Sequence, residues 1–407
     1  MKFQNQERKE WRKFCGYTIC HLIFSHPIYL HYNQDSSKKK KNTSKMSNDE
    51  TPIRFGIIGC AEIARKISRA INLSPNSTLY ALASRSIEKA HNFAIKNNLF
   101  SDSLKIYGNY SEILDDPFVD AVYMPLPTTF HLHWAILAAE KKKHLLLEKP
   151  TALNVEELDK ILDACDKNGV QFMDASMWYH HPRTGKMKEM IVDSKLFGQV
   201  KAIHSSSSYA PGQEFLENNI RVKPDLDALG ALGDAGWYCI GAILWAMNQT
   251  LPTTVTALPN VARNSAGVIL TCSASLYWEK EETVATFYCS FIAHETMDLR
   301  VYGSNGTCYL YDFILPFGED SASFNFTSGA KFVDLHIGWN LKPQVVEVTS
   351  QLPQEGYMIQ EFASLVKAIK FSRSKPESKW PHTSRITQLV LDAVNKSIDT
   401  GFQPVHM

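Results

Sequence analysis

The most constraining feature of this chain is a regular alternation, between residues 53 and 175, of short apolar runs with stretches of helical periodicity. Such alternation is typical of a parallel sheet whose strands are joined by helices packed on its faces. The predicted strands are residues 53–58, 78–83, 105–107, 121–124, 144–147 and 171–175. Helices are predicted between them, including 87–97 and 155–167, the second with Asn154 as its N-cap and Gly169 as its end. Sheets of this kind bind ligands beyond the carboxyl ends of their strands, so a candidate site is expected at that edge.

Beyond residue 195 the pattern changes, because strand-like runs follow one another without intervening helices. These runs are residues 268–278, 283–293, 297–302 and 307–313. Ser304, Asn305 and Gly306 predict a hairpin turn between the last two, because Asn and Gly tolerate positive φ. Amphipathic helices are predicted at 358–372 and 383–400, the second ended by Gly401. The predicted fold class is α/β, with a doubly wound parallel sheet followed by an α+β domain that has an open, mainly antiparallel sheet.

Length and composition agree with two globular domains. A chain of 407 residues is too long for one ordinary core. We place the domains at residues 46–175 and 176–407 and expect the last helix to pack back on the first domain. The net charge of +1 favours neither nucleic acid nor a membrane as partner. The eight cysteines include no Cys-x-x-Cys pair, which indicates buried or free thiols in a reducing compartment and neither a disulfide framework nor a zinc site. We expect the protein to be cytoplasmic.

Residues 1–45 form a separate, basic segment. Its apolar stretch, residues 14–24, is too short to span a bilayer and is followed by no small-residue cleavage site. We expect residues 1–45 to be disordered, and Met46 to be the natural start of the protein. A transit peptide and a basic nuclear signal are the alternatives for this segment.

A glycine-bearing turn follows the first predicted strand and opens a helix. Gly59 takes the first position of a dinucleotide-binding turn, whereas Ala61 and Ala64 stand at the second and third positions, where glycine is usual. The following helix would present its N-terminal amides to a pyrophosphate. We assign the turn and the first helical residues to cofactor binding: Gly59, Cys60, Ala61, Glu62 and Ile63. A packing turn of an ordinary α/β protein is the alternative.

The end of the second predicted strand indicates which dinucleotide is bound. NAD sites usually carry Asp or Glu here to hold the ribose hydroxyls, but this chain has Ser84 and Arg85. A hydroxyl and a guanidinium suit a 2′-phosphate, and a guanidinium also stacks well on adenine. NADP is therefore favoured over NAD. The alternative for Arg85 is an ordinary surface residue.

Two prolines, Pro125 and Pro127, follow the fourth predicted strand and predict a rigid loop at the edge of the sheet. Thr128 is a candidate N-cap for the next helix, in whose first turn His131 would face the cofactor. We assign all four residues to cofactor binding. A purely structural role is the alternative for His131.

Lys149 stands at the carboxyl end of the fifth predicted strand, between Glu148 and Pro150. Pro150 holds the preceding backbone extended and ends the strand. Downstream of a dinucleotide turn in one sheet, this arrangement places an ammonium beside a bound nicotinamide, where it can polarise a substrate oxygen or lower a neighbour's pKa. The two signals together predict a nicotinamide-dependent oxidoreductase, with Glu148 and Lys149 also contacting the cofactor. A surface lysine before a loop is the alternative.

The second half of the site is predicted within the glycine-containing stretch 223–240. Asp234 and Tyr238 are four residues apart, so on a helix they share one face. Beside an ammonium, a phenol can act as general acid or base near neutral pH; a capping Asp and a core Tyr are the alternatives. Trp178, His181 and Arg183 are assigned either to the substrate pocket or to domain packing. The adjacent histidines of this stretch lack a carboxylate partner, so no metal is predicted.

Three segments together, residues 55–61, 148–150 and 233–238, resemble the Gfo/Idh/MocA oxidoreductase family. The resemblance covers nearly all of the chain from residue 53 onward. Tyr238, where many members carry His, resembles the branch of dimeric dihydrodiol dehydrogenase and NADP-dependent D-xylose 1-dehydrogenase, and uncharacterised plant oxidoreductases. The resemblance implies a Rossmann domain followed by an open-faced domain whose sheet often builds a dimer. It also implies Lys149 and Tyr238 as the catalytic pair, supported by Asp234.

On both grounds we predict hydride transfer between NADP and a hydroxyl or carbonyl carbon of a sugar-like or cyclic diol substrate. Tyr238, acidified by Lys149, would exchange the proton with the substrate oxygen. A homodimer through the sheet of the second domain is expected. The alternative is a non-catalytic NADPH-binding sensor or scaffold, which would not need an acid–base pair.

Overall fold

The computed structural model describes residues 51–101, 103–334 and 338–407, so the expectations for residues 1–45 lie outside the described residues. The first sheet has six strands: β1 (Ile53–Ile58), β2 (Ser77–Ala83), β3 (Lys105–Tyr107), β4 (Ala121–Met124), β5 (His144–Leu147) and β6 (Phe172–Asp174). All neighbours pair in parallel, in the order β3-β2-β1-β4-β5-β6. The strand order reverses between β1 and β4, which is where such sheets form a ligand crevice.

Helices connect these strands and cover both faces of the sheet: α1 (Glu62–Leu73), α2 (Ile87–Lys96), α3 (Tyr110–Asp115), α4 (His131–Glu140) and α5 (Val155–Asn168). The predicted boundaries of α5 are confirmed, since the Asn154 side chain accepts a hydrogen bond from the Glu157 amide and Gly169 ends the helix at φ +64°. Strands buried on both faces read as continuous apolar runs. The fully buried β5 residues Leu145 to Leu147 are such a run, and it delivers Lys149 to the crevice.

The second sheet has ten strands and is mainly antiparallel. Its members are β7 (Val200–Ser208), β8 (Thr254–Ala257), β9 (Ala262–Arg263), β10 (Ile269–Trp278), β11 (Thr283–Ser290), β12 (Thr296–Gly303), β13 (Gly306–Leu310), β14 (Ser321–Ser328), β17 (Gln344–Thr349) and β18 (Val405–His406), while β15 (Phe332–Asp334) and β16 (Gly338–Trp339) pair separately. The order is β17-β14-β13-β12-β7-β11-β10-β8-β18, with β9 beside β10. β7 and β11 form a parallel pair inside it.

Three helices belong to this second half: α6 (Pro182–Val192), α7 (Gln213–Asn218) and α8 (Trp237–Ala246). Nine of the ten residues of α8 are buried, and Tyr238 is the exception. A helix that is apolar on all sides belongs in a core, and α8 packs on β7 and β11. Only its first turn therefore reaches the crevice.

The predicted hairpin between β12 and β13 is present, but not for the expected reason. Asn305 and Gly306 do not adopt positive φ. Instead the Asn305 side-chain amide donates to Lys195 O over 2.8 Å, and the turn lies against the backbone of residues 195–197. A Cβ added at Gly303 would lie 2.3 Å from Phe197 O, so close approach is what requires glycine here.

The last two helices, α9 (Gln354–Ser372) and α10 (Lys379–Asp399), both pack on the first sheet and its helices. Phe362 of α9 meets Phe55 of β1 with ring centroids 5.9 Å apart. Arg385 of α10 makes a bidentate contact with Asp159 of α5 at 2.7 and 2.9 Å. The chain therefore returns from its second sheet to complete the layers around the first. In the described part of the chain, no helix is long and apolar enough to cross a bilayer.

Candidate active site

The turn after β1 depends on one glycine in an unusual conformation. Gly59 has φ +116°, its N–H donates to Ala83 O over 2.9 Å, and a Cβ there would lie 3.0 Å from Leu126 Cδ2. Ala61 has φ −78° and ψ 161°, an extended backbone that any residue adopts. Ala64 is fully buried where α1 meets the core. Alanine therefore serves at both positions where the sequence departs from the usual glycine pattern.

The N-terminus of α1 is free of side-chain capping. Ala61 supplies no capping hydrogen bond, and the Glu62 side chain is 76% exposed while it contacts Arg65 Nη2 at 3.2 Å. Cys60 and Ile63 are half-buried on either side of this turn. The first-turn amides of α1, together with the positive end of the helix dipole, are thus available to an anion such as a pyrophosphate.

The end of β2 presents cations and no carboxylate. Ser84 is buried, with its N–H donating to Tyr107 O over 3.2 Å, and Arg85 beside it is exposed. Burial raises the pKa of the Cys60 thiol to about 11, although a hydrogen bond with Ser84 and the charge of Lys89 act in the opposite direction. Lys89 was not predicted from the sequence, because a lysine in a helix is usually a solvated surface residue. Arg85 and Lys89 together make this corner suited to a phosphate.

The loop after β4 is fixed by contacts with residues 225–227. The N–H and the hydroxyl of Thr128 both donate to Asp227 Oδ1, at 3.0 and 3.1 Å. The prediction that Thr128 is an N-cap is wrong, since Pro127 precedes a short 3-10 turn, Thr128–Phe130, and no side chain caps it. The backbone carbonyl of Pro125 lies against the turn at Gly59, where an added Cβ would be 3.3 Å from the carbonyl oxygen.

His131 is in a structural position, as the alternative reading of its sequence predicts. Its side chain is buried, and its ring nitrogens lie 2.8 Å from Leu126 O and 3.2 Å from Thr151 O. Burial lowers its pKa below the ordinary value, which favours the neutral ring. His131 therefore lies between carbonyl oxygens of two loops of the crevice, and a neutral ring donates a hydrogen bond to one of them.

Lys149 and Asp234 form the centre of the site. Lys149 Nζ lies 2.5 Å from Asp234 Oδ1 and 3.2 Å from Asp234 O. Both side chains are mostly buried, at 8% and 14% exposure. The predicted pair from two distant stretches of sequence is thus in direct contact.

Arg221 and Tyr209 complete the surroundings of Asp234 and were not predicted from the sequence. Arg221 Nε lies 2.9 Å from Asp234 Oδ1, and the Tyr209 hydroxyl donates to Oδ2 over 2.8 Å. The charges of Arg221 and Lys149 hold the pKa of Asp234 well below its usual range, against the opposing effect of burial. Arg221 lies in a 3-10 turn, Ile220–Val222, whose sequence carries no motif that points to a site.

A π-helical turn, Leu232–Gly236, places Asp234 in this position. π-turns within helices often occur at functional sites, because the extra residue changes the direction of a side chain. A Cβ at Gly233 would lie 2.4 Å from Leu229 Cβ and 3.3 Å from Pro150 Cγ. Glycine is therefore needed for the turn to come close to the segment that carries Lys149.

Tyr238 lies in the first turn of α8, directly after the π-turn. The ammonium of Lys149 is 4.7 Å from the centroid of its ring, and its hydroxyl donates to Met177 Sδ over 3.5 Å. Burial, Glu148 and Asp234 raise the pKa of Tyr238 well above its ordinary value. The expectation that Lys149 acidifies this phenol is wrong for this structure, because Asp234 already neutralises the ammonium.

Glu148 is half-buried beside the same cluster. Its Oε1 accepts a hydrogen bond from the Tyr123 hydroxyl at 2.6 Å, and its Oε2 accepts one from the Lys149 amide at 3.1 Å. Burial raises its pKa, partly offset by the Tyr123 hydrogen bond and by the charge of Lys149. Glu148 therefore fixes the backbone at the end of β5.

The three residues assigned either to the substrate pocket or to domain packing are all buried in the interior and do not line the crevice: Trp178, His181 and Arg183. Arg183 is 1% exposed, and its Nη1 lies 2.7 Å from Asp312 Oδ1. Trp178 is buried in an aromatic cluster with Trp245 and Phe313. His181 is buried and accepts a hydrogen bond from the Arg183 amide at the start of α6. No group of three metal-ligating side chains occurs among the described residues.

Comparison with known proteins agrees with this geometry. A family model described as "Oxidoreductase family, NAD-binding Rossmann fold" matches residues 53–176, and one described as "GFO/IDH/MocA C-terminal domain" matches residues 185–309. The chain belongs to the Gfo/Idh/MocA oxidoreductase family. The resemblance stated from sequence is confirmed, as is the fold class of a parallel Rossmann sheet followed by a mainly antiparallel one.

Individual Gfo/Idh/MocA proteins match along most of their length. An uncharacterised oxidoreductase, ORF334 from Rhizobium meliloti, is 30% identical over 86% of this chain and 98% of its own. The D-xylose 1-dehydrogenase (NADP(+)) 2 of Haloferax volcanii is 32% identical over 62% of this chain and 74% of its own. KijD10, a 3-ketoreductase from Actinomadura kijaniata solved with NADP and TDP-benzene, has a TM-score of 0.69 at 23% identity, covering 85% of this chain and 98% of its own.

Proposed function

We propose that this protein is an NADP-dependent dehydrogenase or reductase that acts on a CH–OH or carbonyl carbon of a sugar-like or cyclic diol substrate. The observation that carries the proposal is the contact between Lys149 and Asp234, with the Tyr238 ring 4.7 Å from the ammonium. This cluster lies at the carboxyl edge of the same sheet as the Gly59 turn. Binding site and acid–base groups thus belong to one crevice.

The residues at the first turn fit a phosphorylated dinucleotide. Gly59 lets the turn lie close against Leu126 and Pro125, the start of α1 is uncapped, and Arg85 is exposed after β2. NADP, when bound, accepts or supplies the hydride at its nicotinamide ring. The absence of an acidic residue after β2 favours NADP over NAD, and the name of the Haloferax volcanii relative specifies the same cofactor.

The role of Tyr238 is proposed from its position, with its ring 4.7 Å from the Lys149 ammonium, and its raised pKa keeps the phenol protonated at neutral pH. A protonated phenol in the crevice can donate its proton to a carbonyl oxygen as the carbon is reduced. In the opposite direction the phenol must first be deprotonated, so that the phenolate can accept the proton of the substrate hydroxyl. Lys149, held by Asp234, positions the substrate oxygen, and Arg221 and Tyr209 keep Asp234 in place.

A single substitution tests this assignment. Tyr238→Phe should lower kcat by about 10²–10⁴-fold, since a general acid contributes that much, while the Kd for NADPH stays within about threefold. Steady-state kinetics and fluorescence titration with NADPH measure the two quantities. Tyr179→Phe is the matched control, because that hydroxyl donates to Gly241 O and lies outside the crevice.

The alternative, a sensor or scaffold without turnover, predicts a different result. NADPH would bind, and no member of a panel of D-xylose, other aldoses, trans-dihydrodiols and the corresponding carbonyl compounds would be converted. Equal losses of NADPH binding and turnover in Tyr238→Phe would also remove Tyr238 from the acid–base role.

We further propose a cytosolic homodimer formed through the second sheet. One row of paired residues crosses four neighbouring strands of this sheet: Tyr277 of β10, Val284 of β11, Ala202 of β7 and Tyr302 of β12. The two tyrosines and the valine are 41–45% exposed, which makes an apolar row on the open face. The described cysteines are free thiols, as expected in a reducing compartment. Light scattering of Val284→Lys against the unmodified protein tests the dimer; a mass unchanged by the substitution would remove this face from it.

A further inference from the structure

A second cavity lies between α6, the end of α8 and the start of α10, and its lining includes neither Lys149 nor the residues described above as contacting Lys149 or Asp234. Its volume is about 410 Å³, within the range of small-molecule sites. Six of its lining residues carry the argument: Tyr179, Trp245, Trp380, Lys188, Gln249 and Thr383. The proposed reaction gives none of them a role.

One part of the wall is aromatic. The Tyr179 and Trp380 rings are 5.9 Å apart in an edge-to-face arrangement, and the indole of Trp245 lines the same cavity. Lys379 Nζ lies 4.1 Å from the centroid of Trp380 at the border of the cavity. Flat side chains of this kind favour a planar ligand, since aromatic rings gain from offset and edge-to-face contact.

The second part of the wall is a partly buried ammonium. Lys188 Nζ donates to Trp245 O over 2.6 Å and lies 5.2 Å from the centroid of the Trp245 ring. Burial lowers its pKa to about 8, and no carboxylate raises it again. A cation removed from water without an opposite charge is costly, and an anionic group in the cavity would compensate it.

The third part consists of two oxygen atoms without partners. Gln249 Oε1 and Thr383 Oγ1 are buried and form no hydrogen bond within the described part of the chain. Thr383 is only 2% exposed as a residue. Buried polar atoms are nearly always satisfied, so a hydroxyl group from a ligand is a suitable partner for this side of the cavity. The amide oxygen of Gln249 would accept its proton, since that oxygen has no hydrogen to donate.

We propose that this cavity is a second ligand site, specific for a hydroxylated aromatic carboxylate. The carboxylate binds Lys188, the ring packs against Tyr179, Trp245 and Trp380, and the hydroxyl binds at Gln249 and Thr383. The site does not depend on the proposed redox reaction, because its residues belong to none of the catalytic or cofactor contacts.

Isothermal titration calorimetry of the full chain with 4-hydroxycinnamate tests the proposal. One equivalent of 4-hydroxycinnamate should bind. The neutral 4-hydroxycinnamyl alcohol should bind with an affinity lower by about tenfold or more, since it lacks the negative charge that would pair with Lys188. Gluconate supplies a carboxylate and hydroxyls without a ring. Equal affinity for gluconate and 4-hydroxycinnamate would overturn the aromatic class of ligand, and no heat with 4-hydroxycinnamate would overturn the site.

Variants locate the bound acid. Lys188→Met keeps the aliphatic stem and should weaken binding about tenfold or more, whereas Lys186→Met on the same helix should leave it unchanged, because Lys186 points to Glu189 and does not line the cavity. Thr383→Val, which removes one hydroxyl without changing charge, should weaken binding several-fold and guards against misfolding of the first variant. Lys149→Met should bind the acid normally. Loss of binding in Lys149→Met with retention in Lys188→Met would place the acid in the active-site crevice and refute the proposal.

Discussion

The carboxylate of Asp234 contacts two cationic side chains and accepts a hydrogen bond from a phenol. Lys149, Arg221 and Tyr209 all contact its oxygens within 2.9 Å. The side chains of Lys149 and Asp234 are 8% and 14% exposed, and that of Arg221 is 36% exposed. Removing the carboxylate would leave the buried Lys149 ammonium without its opposite charge, so Asp234 contributes to the fold as well as to the site.

Asp234→Asn should therefore destabilise the protein by about 3–5 kcal/mol, the usual cost of breaking a buried ion pair from one side. Denaturant unfolding measures the difference, with Asp225→Asn, an exposed position, as the control. The folded pKa of Asp234 is lowered, so its stabilisation is present above its unfolded pKa and lost as pH falls through the folded value. The difference between the two proteins should be constant from about pH 5 to pH 8. A loss of less than about 1 kcal/mol would contradict the arrangement of charges.

Arg85 provides the second test at this scale. Arg85→Ala should weaken NADPH binding by about 10–100-fold, the value of one or two charge-assisted hydrogen bonds, and change NADH binding by less than about threefold. Lys96→Ala, in the last turn of α2 beyond the expected phosphate, should leave both affinities unchanged. Equal weakening for both nucleotides would mean that Arg85 contacts the shared part of the cofactor and does not select the 2′-phosphate.

At the scale of elements, the π-turn before α8 sets the position of Asp234 and Tyr238 relative to Lys149. Gly233→Ala would bring a methyl group within 2.4 Å of Leu229 Cβ, so the turn must move away from Pro150. A displacement of about 1 Å can cost on the order of 100-fold in rate. We expect a loss of kcat of that size with NADPH affinity retained. Gly185→Ala, in α6 with no atom within 4 Å of the added Cβ, is the control and should be as active as the unmodified protein. Full activity of Gly233→Ala would show that this close approach is not needed.

The strands of the first sheet were predictable because each is a short apolar run between helices. β7 was not, although it lies at the centre of the second sheet. Its last four residues, Ser205 to Ser208, are all buried serines, a composition that indicates loop. The hydroxyls of Ser205, Ser206 and Ser208 form hydrogen bonds with residues 294–298, for example Ser205 Oγ donating to Asp298 O over 3.2 Å. Pairing across a sheet is a tertiary property that the local sequence does not carry.

The candidate site divides in the same way. Gly59, Lys149 and Asp234 follow from motifs, because turn geometry and strand ends constrain the residue type locally. Arg221 and Tyr209 approach Asp234 from separate segments, and only the three-dimensional arrangement reveals them. The direction of the Tyr238 pKa shift was predicted wrongly. The sequence places Lys149 near Tyr238, but it does not show that the Lys149 ammonium contacts the Asp234 carboxylate, which neutralises its charge.

At the scale of the whole molecule, α9 and α10 are parts of the first domain's core. Phe362, Val390 and Leu391 are fully buried, and Val155 at the start of α5 donates its N–H to Asp392 Oδ2 over 2.7 Å. A chain that ends at residue 353 would expose the surfaces that these helices cover. Each large apolar side chain left uncovered costs about 1.5–3 kcal/mol, so the loss of several exceeds the stability of a typical protein.

Removal of residues 354–407 should therefore yield protein that aggregates and does not bind NADPH. Removal of residues 1–45, which precede β1 in the sequence, should leave cooperative unfolding and NADPH affinity unchanged. Circular dichroism melting and NADPH titration of both shortened proteins measure the difference. A shortened chain ending at residue 353 that melts cooperatively and binds NADPH would mean that the first sheet is stable without these helices.

The return of α9 and α10 to the first sheet also bears on how the protein is made. A ribosome releases the chain from its N-terminus, so the strands of the first sheet emerge long before the helices that cover them. The apolar surface of the first sheet therefore stays exposed until almost the whole chain has been translated, because α9 begins only at residue 354. Chaperones are therefore expected to hold the growing chain during this interval. A premature stop codon anywhere before residue 354 should give a polypeptide that is degraded, not a smaller cofactor-binding protein.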